Sequence, residues 1–233
     1  MTVALTANAD TKGPVDATSL TEQVYLRLRA ALMRTEFKPN QRLKVRDLAV
    51  EMGTSETPVR EAVFQLAREG AVEIKPRHYI RVRRPSLAEF LEIREIRLTV
   101  EPLAAERAIC YLGAAEIDGL AAIHAHLVEA ERAGAWAVAH EANFDFHFGI
   151  YYRSGMPTLI NILESLWIRI GPLLSELYPN APPTYADKHQ HENILTALRR
   201  RDAYALREAV RQDLLEGGRN LVRHMEALEA GSR

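Results

Sequence analysis

The sequence predicts a mainly α protein in two parts, a small helix-turn-helix carrying a basic hairpin and then an all-helical bundle. Three observations support this. A short helical pattern from Val45 to Met52 ends at Gly53, and a second begins near Pro58, so a tight glycine turn joins two helices. Val72 to Lys75 and Ile80 to Arg83 then alternate with period 2 around the basic loop Pro76-Arg77-His78-Tyr79. From Ser86 to about residue 228 the apolar residues recur at helical spacing, with no convincing strand. Helix, turn, helix and basic hairpin together make a winged helix-turn-helix.

The stretch Thr54 to Gly70 holds the element most suited to reading DNA. Thr54, Ser55 and Thr57 are all helix-capping residues, Pro58 suits the first helical position, and Gly70 suits a left-handed stop. Val59, Val63 and Leu66 form the apolar back of the helix, while Ser55, Glu56, Thr57 and Arg60 begin the opposite face. Short polar groups and an arginine at a helix N-terminus can hydrogen-bond base edges or phosphates.

Before this element, residues 1–17 are small and polar without periodicity and read as a disordered tail. Ser19 and Glu22 have capping-box spacing, and Leu20, Val24, Leu28 and Leu32 give the stripe of a first helix. In the loop FKPNQRL, Asn40 can take a left-handed conformation. Pro85 and Ser86 end the hairpin and can cap the next helix, dividing the chain into domains 18–85 and 86–228. The second domain breaks at Gly113, Gly134, Ser154 to Pro157 and Pro179 to Pro183, which delimits six helical stretches with their own core.

Composition narrows the function. Residues 18–85 carry 14 Lys/Arg against 8 Asp/Glu, and the rest carries 16 against 23. A basic module joined to an acidic one suits a DNA reader attached to a sensing domain. No apolar run is long enough to span a membrane, and no secretory signal is present, so a cytoplasmic location is expected. Cys110 is the only cysteine and reads as a small buried hydrophobe.

The run RDLAVEMGTSETPVREAVFQLAREGAVEIKPRHYIRV resembles the DNA-binding domain of the GntR family of bacterial transcriptional regulators, above all in TPVREA followed by L-x-x-E-G. LEIREIRLTVEPLAAERA and HENILTALRRRDAYALREAV resemble the FCD domain, the helical effector domain of the FadR-like branch. Six helices would fit its VanR-like subgroup. The resemblance implies DNA contacts at Arg46 and Arg60, supported by Lys44, Ser55, Glu56, Thr57, Arg77 and His78. Many relatives carry arginine where Glu56 stands, and often glycine at Tyr79, which leaves the wing tip open.

Asn143 and His147 are four apart, on one helical face, with His191 and Asp213 on later helices. The family usually places Asp, His, His and His at these positions to bind a divalent metal. Here asparagine replaces the aspartate and Asp213 the last histidine, giving a harder set, weaker for Zn2+ and with relatively more room for Mn2+ or Mg2+, for a divalent ion of the Zn2+, Mn2+ or Ni2+ type. The same four side chains could instead form a metal-free polar network around the effector. The pairs His124/His126 and His189/His191 are two apart and read as non-chelating, and Asp145 as a solvated charge. Arg97 and Glu101, also four apart, suit an intrahelical ion pair. The resemblance makes Arg97 the fork for an effector carboxylate, with Tyr152 and Arg153 as further wall groups.

The expected function is a DNA-binding regulator controlled by a small organic acid, acting as a homodimer on a palindromic double-stranded operator. The alternatives are a helical metalloenzyme on His147, His191 and Asp213, and a DNA-binding protein independent of any effector.

Overall fold

The computed structural model describes residues 20–184 and 188–231. The N-terminal tail, Ser19 of the expected capping box and Asp187 lie outside them. The first helix, α1 (Leu20–Met33), buries Val24, Leu28 and Leu32 on the anticipated stripe. The turn that follows uses Asn40 at φ +63°, the left-handed conformation its side chain tolerates. Next come α2 (Val45–Glu51) and α3 (Glu56–Arg68), joined through Gly53 at φ +63°.

The α3 helix starts two residues earlier than its proline suggests. Ser55 is its N-cap, without a side-chain capping bond, so Pro58 stands at the third helical position. That position is also free of penalty, because its N–H has no partner within the helix. Val59, Val63 and Leu66 are buried as expected, and Gly70 has φ +80° just beyond the helix. Strands β1 (Val72–Lys75) and β2 (Tyr79–Val82) pair antiparallel, with Lys75 opposite Tyr79. Tyr79 therefore belongs to a strand, and its hydroxyl donates to Glu73 at 2.9 Å. Arg77 in the loop takes the positive φ, +62°. A glycine is not needed at 79.

Ser86 caps α4 (Leu87–Ala108) by accepting from the Glu89 amide at 3.2 Å. The bundle continues through α5 (Ala114–Ala133), α6 (Trp136–Tyr151), α7 (Pro157–Leu174), α8 (Gln190–Arg200), α9 (Ala203–Gly217) and α10 (Arg219–Gly231). These are seven α-helices among the described residues, not six. Gly217 and Gly218 interrupt the last stretch, because two flexible glycines favour a break over a continuous helix. The ground for a VanR-like comparison is thereby lost. Cys110 is exposed rather than buried, since α4 has already ended at Ala108. Ile96 and Ile162, two apolar residues on the bundle helices α4 and α7, are also exposed.

The two parts share one hydrophobic core. Helix α1 packs on α3 within the N-terminal part and on α7 of the bundle, and its buried face joins Phe144, Leu163 and Trp167 in one cluster. Gly171 on α7 permits this contact. A Cβ there would stand 3.1 Å from the Leu32 carbonyl carbon and from the Met33 Cα, with the Leu32 oxygen closer still.

Candidate functional site

Two regions gather the candidate residues. On the N-terminal part, Lys44, Arg46, Ser55, Glu56, Thr57, Arg60, Arg77 and His78 are all solvent-exposed. Apolar burial on the back of α2 and α3 leaves their polar faces outward. Lys44 pairs with Asp47 at 3.6 Å, and Arg60 with Glu56 at 2.9 Å one helical turn away. In the free protein the side chain expected to read a base is thus held by a neighbouring carboxylate.

In the bundle, α6, α8 and α9 bring three buried side chains to one point. His147 Nε2 lies 3.2 Å from His191 Nε2 and 3.3 Å from Asp213 Oδ2, and His191 Nε2 lies 3.8 Å from Asp213 Oδ1. Asn143, one turn before His147, lines the same cavity as His147 and Asp213. The i, i+4 spacing therefore works as expected, and the three donors converge closely enough to hold a metal ion.

Behind them lies a buried network. Glu101, fully enclosed, accepts from Arg97 Nε at 2.6 Å, Trp167 Nε1 at 2.7 Å and the Tyr151 hydroxyl at 2.8 Å. Tyr151 Oη also lies 3.3 Å from His147 Nδ1. The tyrosine has one proton, and the carboxylate can only accept, so His147 must donate from Nδ1. In the neutral ring this leaves the Nε2 lone pair facing His191 and Asp213, the arrangement in which an outer partner orients a metal-binding imidazole. Burial, reinforced by Glu101, holds the Tyr151 pKa well above its usual value, so the phenol keeps its proton. Arg97 forms the expected ion pair and also lines the cavity, with its guanidinium 4.7 Å from the centre of the Trp167 ring.

Tyr152 and Arg153 do not reach the cavity. They follow Tyr151 on a single 3-10 turn over Tyr152–Ser154, where both are exposed. Tyr152 donates to Glu164 at 2.9 Å and Arg153 to the Gly149 carbonyl at 2.6 Å. Each residue turns the helix by about 100°, so Tyr151, four beyond His147, is the inward tyrosine. Asp145 does not line this cavity and its side chain stays 40% exposed, as expected, although it also pairs with Arg34 at 2.7 Å.

Sequence reasoning set aside or missed five residues. His124 and His189 come together with His191, although the two-residue spacings argued against chelation. His140 lines the cavity with Nε2 buried and without a hydrogen-bond partner. Met33, the last residue of α1, and Thr35, two residues beyond it, form part of the cavity wall. The DNA-binding part therefore touches the same space as Asn143 and Asp213.

Burial lowers the His140 pKa to about 4, against roughly 6.5 when unfolded. The unfolded chain then binds more protons between these values, so this contribution to stability is intact above pH ~6.5 and is lost as pH falls towards 4. We expect the melting temperature to fall across that window, and less steeply in His140→Leu. Parallel slopes for the two proteins in calorimetry would remove His140 from the acid response.

Comparison with known proteins agrees with this architecture. Residues 20–82 match the bacterial regulatory proteins of the gntR family, and residues 92–216 match the FCD domain. The chain is 32% identical to the HTH-type transcriptional regulator McbR of Escherichia coli K12 over 200 residues, covering 85% of this chain and 90% of that one. This chain belongs to the GntR family of transcriptional regulators, with an FCD domain. The solved structure of E. coli McbR/YncC superposes with a TM-score of 0.81 at 30% identity, covering 89% of this chain and 99% of that one. The HTH-type transcriptional repressor RspR of E. coli K12 is 25% identical over 84% of this chain and 86% of its own length. A GntR regulator from Rhodococcus sp. RHA1, at 21% identity and a TM-score of 0.63, shares the fold over 93% of this chain and all of its own. The protein is therefore a DNA-binding transcriptional regulator of the GntR/FCD type. No helix among its described residues is long and apolar enough to cross a membrane.

Proposed function

We propose that this GntR regulator reads a palindromic operator as a homodimer and that a small organic acid in the bundle cavity sets its operator affinity. The observation that carries this reading is the shared wall: Met33 and Thr35 of the N-terminal part line the same cavity as Arg97, His147 and Asp213. A ligand there contacts both parts, so it can favour one relative placement of the DNA-reading helices over another. Arg97 spends its Nε on Glu101, and its other N–H groups remain as donors for a carboxylate.

Asn143, His147, His191 and Asp213 fit a divalent metal of the Mn2+, Zn2+ or Ni2+ kind, because three donors meet and the neutral His147 ring, donating from Nδ1, offers its Nε2 lone pair to them. A bound ion would add the positive charge that anchors an acid. The residues themselves orient it: Tyr151 holds the His147 ring, and Trp167 and Phe144 exclude water from one wall.

A thermal-shift screen of small carboxylates, run with chelated and with Mn2+- or Zn2+-loaded protein, tests the reading. Hits should also change operator affinity in a mobility-shift titration. If no acid alters either quantity under any metal condition, the protein acts on DNA independently of an effector. Turnover of a bound acid would instead revive the metalloenzyme alternative.

On the DNA side, Arg60→Ala should weaken operator binding by about 1–3 kcal/mol if Arg60 reads a base. Glu56→Arg removes the carboxylate that pairs with Arg60, and should change the base preference recovered by binding-site selection. An unaltered consensus together with wild-type affinity for Arg60→Ala would place DNA recognition elsewhere.

A further inference from the structure

Besides its histidines, the described wall of the cavity carries the ionisable side chains Arg94, Arg97, Glu131 and Asp213. Three of these have a partner. Arg97 donates to Glu101 at 2.6 Å, Asp213 lies 3.3 Å from His147, and Glu131 accepts from the Tyr178 hydroxyl. Arg94 is the exception. It is half-buried, its Nε is shut away from solvent, and it enters no hydrogen bond or ion pair among the described residues. It also borders the groove between α4, α9 and α10 beside Glu226, without pairing with it. A partly desolvated guanidinium with no counter-charge costs free energy that an anion recovers. Buried polar groups are rarely left unmatched, so this one points to a partner that arrives from outside.

Arg94 and Arg97 stand three residues apart on α4. They are therefore neighbours on one side of the helix, with Cβ atoms about 5–6 Å apart. Their situations differ. Arg97 is buried against Trp167, and Glu101 already balances its charge. Its remaining N–H groups can hold one acid group, but a carboxylate held there leaves Arg94 unanswered. An acid with a second anionic group satisfies both. Two of the wall histidines do not supply a competing positive charge. Burial lowers the pKa of His140 and His189 to about 4, so both rings are neutral near pH 7.

We propose that Arg94 is the subsite for a second anionic group, so that the effector is a short acid carrying two such groups rather than a monocarboxylate. This rests on the reading of the cavity as an organic-acid site and narrows the class of acid. The planar fork of a guanidinium pairs with a carboxylate or with a phosphate, so a dicarboxylate and a phosphorylated acid share the required chemistry. Because both arginines belong to one helix, the separation of the two anionic groups is set within α4. It does not depend on how α4 sits against its neighbours.

Titration calorimetry on the full chain, chelator-treated and Mn2+-loaded, tests this with matched pairs: glutarate against pentanoate, and phosphoglycolate against glycolate. In at least one pair the acid with two anionic groups should bind about tenfold or more tightly, the scale of one charge-assisted contact. The pair that shows the preference separates a dicarboxylate from a phosphorylated acid. Arg94→Gln should bring the ratio near unity, and Arg94→Met, which keeps most of the stem and drops the charge, should agree. Both variants should melt no lower than wild type, since Arg94 has no hydrogen bond or ion pair to lose. A lower melting temperature in both would make the residue structural and overturn the proposal. So would a wild-type ratio near unity in both pairs, or an unchanged ratio in either folded variant. Equal weakening of both members of a pair also overturns it, because Arg94 would then share the first carboxylate with Arg97. In each of these cases the organic-acid reading stands. If no acid binds under either metal condition, that reading fails and takes this inference with it.

Discussion

Glu101→Ala should cost the fold about 3–5 kcal/mol, the range for removing one partner of a buried ion pair. Three donors converge on this carboxylate, and all would be stranded: Arg97 Nε, Trp167 Nε1 and the Tyr151 hydroxyl. Arg97 is itself only 6% exposed, so its charge cannot recover full hydration. In a domain pair of this size each kcal/mol is worth roughly 2–4 °C, so the melting temperature should fall by about 10 °C or somewhat more. Glu101→Gln keeps the shape and one acceptor oxygen, and should lose less. The same change frees Tyr151 to donate to His147 Nδ1, which would move the imidazole proton to Nε2 and block ligation there. Glu101→Gln should therefore lower Mn2+ affinity even where its fold survives. A melting temperature for Glu101→Ala within 2–3 °C of wild type would mean that water rescues the network, an effect of less than roughly 1 kcal/mol.

The sequence made the elements that depend on local chemistry legible. Asn40 could be assigned a left-handed turn because few side chains other than glycine tolerate it, and Ser86 a cap because it precedes a helical stripe. The meeting of His147, His191 and Asp213 was foreseen through helical spacing and family resemblance together. Spacing alone fixes only Asn143 against His147, since nothing local sets α6 against α8 and α9.

The unforeseen features depend on tertiary placement or on small steps along a helix. His189 was dismissed as sharing no face with His191, but it is an N-cap outside the helical periodicity, and its ring swings back over the first turn. His124 reaches the same point only because α5 packs beside α8. Tyr151 was findable, since it stands four residues after His147 and eight after Asn143 on a common face. Choosing Tyr152 and Arg153 instead was an error of one and two residues, and in a helix that is enough to turn a side chain outward. The Gly217-Gly218 pair was a visible break signal passed over in favour of one long helix. Met33 and Thr35 carried no signal, because no local pattern tells residues at the end of a helix that a cavity in another domain will close against them.

Gly171→Ala should separate the two tasks of this regulator. Helix propensity alone favours alanine over glycine by roughly 1 kcal/mol inside a helix. The structure demands the opposite outcome, because the new methyl would meet the backbone of Leu32 and Met33, which cannot rotate aside as a side chain can. Net destabilisation of about 1–3 kcal/mol is expected, the range for overpacking a tight contact. Gly119→Ala is the internal control: it lies in α5 with nothing within 4 Å of its added Cβ, and it should be neutral or stabilising. The functional consequence follows from what α1 joins. Displaced from α7, it would shift Met33 and Thr35 at the cavity wall, and strain the pairings of Arg29 with Glu164 at 2.7 Å and Arg34 with Asp145 at 2.7 Å. The α2–α3 surface lies on the far side of α1 from this contact in the packing order, so operator affinity without effector should change little. The change in operator affinity produced by an active carboxylate should shrink several-fold, measured by mobility shift with and without the acid. A Gly171→Ala protein with wild-type stability and an undiminished response would show that coupling between the cavity and the DNA-reading helices does not pass through the α1–α7 contact.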